Sequence, residues 1–178
     1  MVYGYLNNGE IESVGQLPKS WKNVSNIYLL SESELNNLGW YKVDMFDLST
    51  LEDWQIVIGA PSYSFDEENK IILESYVIED KDLTEYKIEK ITALKTNTFW
   101  YVDKILPTWV RENANVSIAL GGVDSPYTLT KAKNILSYTM LVKAKVDEIE
   151  QEIINAISHE EVNEAVSVID YIDYIGVE

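Results

Sequence analysis

Residues 16–43 read QLPKSWKNVSNIYLLSESELNNLGWYKV, which spells a turn, a short strand and one tightly punctuated helix. Pro18 fixes its own φ and drives Leu17 toward an extended conformation. Ser31-Glu32-Ser33-Glu34 is a capping box, with Ser31 as the N-cap and Glu34 reaching back to its amide. Leu30 before the cap and Leu35 at the fourth helical position form the matching hydrophobic staple. Gly39 supplies a left-handed stop after Leu38, so the helix lasts only about two turns. Trp40 and Tyr41 then return the chain to a strand.

Working outward, residues 2–106 carry a mostly strand-like pattern. Residues 2–6, Asn7-Asn8-Gly9 and residues 10–14 read as a hairpin, because Asn-Gly accepts the positive φ values of a two-residue turn. Residues 54–59 (WQIVIG) read as a buried strand. Residues 71–79 and 83–94 alternate on either side of the acidic turn Asp80-Lys81-Asp82, again hairpin-like. Residues 98–105 fit a strand or the start of a helix. Pro107 and Gly121-Gly122 mark turns.

The pattern changes at about Asp124. Thr128, Ile135, Val142, Ile149 and Ala156 interleave with Ala132, Thr139, Val146 and Ile153 at alternating spacings of three and four. That is a heptad seam of about four repeats. Leu136, Tyr138, Leu141 and Ile157 widen the apolar face, which favours packing on a sheet or in a bundle over an isolated two-stranded coil. Ser158-His159-Glu160-Glu161 is a second capping box and restarts a shorter helix from Glu160 toward Ile169. The tail, VIDYIDYIGVE, alternates apolar and acidic units and suits a strand or a docking peptide. The expected architecture is therefore α+β: residues 1–124 form a mainly antiparallel β module, and residues 125–178 form a long amphipathic helix with a shorter one after it.

Charge along the second segment is segregated. Lys131, Lys133, Lys143 and Lys145 come first, and from Asp147 to Glu178 there are ten acids and no Lys or Arg. A lone helix prefers the opposite order, though screened ends cost only about 0.3–1 kcal/mol. A partner helix would relieve it, with Lys145 facing Glu150 of a parallel neighbour, or Lys143 and Lys145 facing Glu150 and Glu152 of an antiparallel one. The candidate interface is accordingly Ile135, Val142, Val146, Ile149 and Ile153, joined by Tyr171 and Tyr174 of the tail. These residues point to a homo-oligomer or to a docking partner.

Composition narrows the function classes. The net charge of −16 over 178 residues opposes a nucleic-acid backbone as partner. The absence of cysteine removes disulfides, thiolate nucleophiles and Cys-based metal sites. The first residues carry neither a basic nor an apolar run, so no signal peptide is expected, and no stretch reaches the ~18 apolar residues of a membrane span. A soluble protein is the expectation. Five Trp and twelve Tyr suit broad, half-wet contact surfaces. Trp21, Trp40, Trp100 and Trp109 would make a sugar-stacking surface if exposed, although a core position is the commoner fate of tryptophan.

The catalytic inventory is thin. His159 is the single histidine, and its place inside a helix start reads as surface. One histidine does not supply a catalytic zinc site. Asp66-Glu67-Glu68 and Asp80-Lys81-Asp82 lack the spacing of a calcium loop. Gly121-Gly122 is followed by no Lys-Ser/Thr and so is no phosphate loop. No catalytic, cofactor-binding or metal residue is assigned, and no enzyme is expected.

Residues 1–90, through the LPKSWxNVSNxxLL…LGWY pattern, Pro61, Asp66 and ESYVIEDKDLTEYKI, resemble a small module of virion and tail-fibre-region proteins of tailed bacteriophages. That resemblance implies a structural protein of the virion, in the tail, baseplate or fibre-attachment region, whose partners are other virion proteins. A tail-fibre assembly chaperone and an adhesin for host-surface carbohydrate are the alternatives. It implies no catalytic residue.

Overall fold

The computed structural model describes residues 1–167. The chain is α+β, a mainly antiparallel sheet followed by long helices and a short C-terminal one. It divides into two units, Met1–Asp80 and the part from Lys81 onward.

In the first unit, strands β1 (Tyr3–Asn7) and β2 (Glu10–Gly15) form the expected hairpin. Asn8 (φ 51°) and Gly9 (φ 87°) make its two-residue turn. Two short strands, β3 (Ser20–Trp21) and β4 (Val24–Ser25), pair with each other, and a 3-10 turn over Ile27–Leu29 follows. Helix α1 (Glu32–Asn37) carries the capping box: the Glu34 amide donates to Ser31 Oγ, and the Ser31 amide donates to the Glu34 carboxylate at 2.8 Å. The hydroxyl and then the amide of Ser31 hold the Glu34 carboxyl below its ordinary range. Gly39 has φ 88°, and a Cβ there would lie 2.8 Å from the Leu6 carbonyl oxygen, so glycine is required twice over.

Strand β5 (Trp40–Asp44) pairs antiparallel with β1, and parallel with β7 (Ile71–Asp80). Strand β6 (Gln55–Asp66) closes the order β2-β1-β5-β7-β6 at an edge. The ladder between β6 and β7 breaks between Ile58 and Ser62, where Pro61 has no amide to donate. One cluster of the core holds Tyr5, Ile27, Leu35 and Trp40, with Leu30 and Trp21 packed on it. Rings of Tyr5, Trp21 and Trp40 meet at centroid distances of 4.7 to 5.3 Å.

The described part of the second unit consists of helices and the loops that join them. Helix α2 (Leu83–Ile105) starts at Asp82, whose carboxylate accepts from the amides of Thr84 and Glu85. Helix α3 (Thr108–Ala119) follows Pro107, and α4 (Leu129–Asn155) follows Thr128, whose hydroxyl accepts from the Lys131 amide. Between them, the buried Ser117 hydroxyl donates to the Asn113 carbonyl and accepts from the Tyr127 amide, which ties the loop to α3. Helix α5 (His159–Ser167) ends the described chain. Lys87 reaches the Ile154 carbonyl and Lys95 pairs with Glu150 at 2.7 Å, so α2 and α4 run antiparallel. The core between α2, α3 and α4 is Val102, Leu106, Ala114, Ala132, Ile135, Tyr138 and Val142.

Four expectations change. The strand-to-helix transition comes at Asp80–Leu83, not near Asp124, so residues 83–105 and 108–119 are helical and the strands end well before residue 124. Residues 83–94 are helix, and the hairpin partner of β7 is β6. The Asp80-Lys81-Asp82 turn is instead a helix start, because Asp82 binds two amides that the first turn leaves open. Residues 54–59 are strand from Gln55 on, but on an edge and half-exposed.

Candidate interaction surfaces

The seam of α4 is occupied from within the chain. Ile135, Val142, Ile149 and Ile153 are buried in the second unit's own core, and Val146 is half-buried. These four side chains therefore pack within the chain, and Val146 keeps part of its surface open. Tyr171 and Tyr174 lie outside the described residues. The charges follow the same course: Glu150 is taken by Lys95 of α2, and Lys145 by Glu148 on its own helix. The hydrogen bond that Lys145 donates to Glu148 raises its ammonium above the usual value.

Tryptophans separate into two fates. Trp21 and Trp40 belong to the aromatic core of the first unit, so a platform of all four does not exist. Trp100 and Trp109 stand on α2 and α3 with 65% and 60% of their surface open. Phe99 lies beside Trp100, ring centroids 5.7 Å apart and edge-on, and Met140 and Leu141 on α4 are also more than half exposed.

His159 is more than a surface residue. Its Nε2 lies 2.9 Å from the Lys81 carbonyl, which only accepts, so that nitrogen carries the proton. Its ring sits 5.2 Å from Tyr86, whose hydroxyl donates to Asn163. These contacts fasten the start of α5 to the start of α2. Ser158 beside it is engaged in capping, its hydroxyl accepting from the Glu161 amide, while the Glu161 carboxylate accepts from the Ile157 amide. The second capping box thus forms with its return bond displaced by one residue.

Sequence reasoning passed over Glu74. It is buried in β7 on the same face as Ile72, and its carboxylate accepts from the Phe46 amide and the hydroxyls of Tyr63 and Tyr76. Burial first, then the hydrogen bond to Glu74, raises the Tyr63 phenol above its usual range, and Tyr76 is raised by burial and by the Glu74 charge. The signal was the period-2 alternation of Ile72, Glu74 and Tyr76, which puts an acid on the inward face. Its partners, one of them the amide that leads out of β5, describe a structural clasp.

Elsewhere, β2 and β6 face each other across an open cleft of about 640 Å³ bearing Glu10, Glu12, Tyr63 and Phe65. Among the described residues no group of three or more His, Cys, Asp or Glu is arranged to hold a metal ion. None of their helices is long and apolar enough to cross a membrane. No protein-family model, curated protein or solved structure matches this chain.

Proposed function

We infer that the chain is a structural component of a bacteriophage particle, from the tail, baseplate or fibre-attachment region, and that it works by protein–protein assembly. The observation that carries the assembly reading is the set of open apolar side chains on the helical unit: Phe99, Trp100, Trp109, Met140 and Leu141. Large rings held on rigid helices lose little conformational entropy on contact, and tryptophan is enriched at the energetic centres of interfaces. A net charge of −16 keeps such a surface dispersed until a complementary one meets it. The phage context rests on the resemblance of residues 1–90.

Mass spectrometry of purified phage particles tests the assignment. The chain is expected there at a stoichiometric level. Abundance in the infected-cell lysate with absence from the particle would overturn the structural role in favour of a fibre-assembly chaperone. The exposed Trp100 and Trp109 also favour a second reading, an adhesin for host-surface carbohydrate. It predicts saturable quenching of tryptophan fluorescence by the host polysaccharide, lost in Trp100→Ala with Trp109→Ala.

A further inference from the structure

A groove of about 300 Å³ runs between α2 and α4 in the second unit. Its apolar lining comes from Phe99 and Val102 on one side and Val142 and Val146 on the other. Lys95, Arg111 and Lys143 stand around it. In a chain with 14 Lys and Arg against 30 Asp and Glu, three cations gather about this one apolar groove. Lys95 and Arg111 already hold Glu150 and Asp103, which leaves Lys143 as the cation open to an occupant. Lys143 is exposed and forms no ion pair among the described residues. Thr98, also in the lining, is only 9% exposed.

We propose that this groove receives the chain's own residues 168–178, VIDYIDYIGVE. Their chemistry is its complement: seven apolar side chains, three acids and no base. Asp170 or Asp173 would meet Lys143. The reach is sufficient. Helix α5 ends at Ser167, and Ala165 just before it lies beside Glu152 and Ala156 of α4. Val146 is about 9 Å from Glu152 along that helix, and Thr139 at the far end of the groove about 20 Å, at 1.5 Å per residue. Eleven extended residues span up to about 36 Å. A tethered segment also competes at an effective concentration in the millimolar range, which favours it over the same segment of a second copy. The inference stands whether or not the chain belongs to a virion.

The full chain tests this directly, since it contains no cysteine and a single Ile172→Cys carries a benzophenone-maleimide probe without ambiguity. Irradiation should give cross-links within the monomer, mapping by mass spectrometry to the faces of α2 and α4 about Phe99 and Val142. Phe99→Glu with Lys143→Glu, both at exposed positions, should lower that yield by at least about fivefold, the equivalent of one lost apolar contact and one ion pair. Circular dichroism should show an unchanged helix content in that variant. Cross-links confined to a dimer band, with a yield rising with protein concentration, would overturn the proposal and assign the groove to a second copy. Cross-links that map elsewhere, or that the double variant leaves unchanged, would overturn it outright.

Discussion

The two units fill their interiors with different materials. In the first, three aromatic rings, Tyr5, Trp21 and Trp40, meet edge to face between short elements that each begin or end on a marked residue. In the second, mostly aliphatic side chains of three helices interlock over lengths of 12 to 27 residues, with Tyr138 buried among them and Tyr101 and Tyr127 packed at the margin. A few large rings bury much area per residue, so small strands and a helix of six residues suffice to frame them. A helical core spreads its stabilisation over many modest contacts, so no single turn signal matters much and each interior position does. The first unit should therefore be sensitive at its turns, and the second at its seam.

The sharpest way to break that contrast is Ile149→Asp. Ile149 is 1% exposed in the seam of α4, and an unpaired charge there should cost on the order of 3–5 kcal/mol. The helical signal at far-ultraviolet wavelengths should collapse while the near-ultraviolet signal of the Tyr5–Trp21–Trp40 cluster persists. Loss of both together would show one cooperative structure instead of two cores. Next in size is Gly39→Val, which combines a left-handed φ with a clash against the Leu6 carbonyl and should cost roughly 1–3 kcal/mol. Its effect belongs in the melting of the aromatic cluster. A melting curve identical to the parent's would show that the turn does not limit that unit.

Ser31→Ala should cost about 0.5–2 kcal/mol through the loss of the cap on α1. It sharpens the comparison when set beside Thr128→Ala on α4, which has 27 residues and a full apolar face to hold it. The expected order is a clear shift for Ser31→Ala and a smaller one for Thr128→Ala, and the reverse order would refute the contrast. The smallest effect is on acid stability. Amides of Glu85 and Thr84 hold the Asp82 carboxyl below its ordinary range. A carboxyl lowered in the folded state stabilises it fully above the unfolded value of about 3.9, and loses that contribution as pH falls through the lower folded value. Thermal melts taken downward from about pH 5 should fall less steeply for Asp82→Asn, which keeps the cap but has no proton to gain. Equal slopes would mean that this carboxylate does not contribute.

The hairpin turn at Asn8-Gly9, the box of Ser31 and Glu34, and the stop at Gly39 were all readable, because each acts within about four residues and depends on backbone geometry that few residue types satisfy. The existence of a wide apolar face on α4 was readable for the same reason, since 3.6-residue periodicity is a property of the segment alone. The nature of α2 was hidden. Its inward stripe runs Tyr86, Lys90, Leu94, Thr98, Val102, with a lysine whose ammonium rests 5.1 Å from the Tyr86 ring centroid and a threonine buried with its hydroxyl. Meanwhile Ile88, Phe99 and Trp100 stand exposed, so the apolar residues do not trace the buried face. What covers α4 was likewise undecided by its own pattern, because the same spacing would suit a sheet, a second copy or helices elsewhere in the chain. Tertiary structure settled it with α2 and α3, and paired β7 with β6. Periodicity states that a face must be buried, and only the arrangement of distant segments states against what.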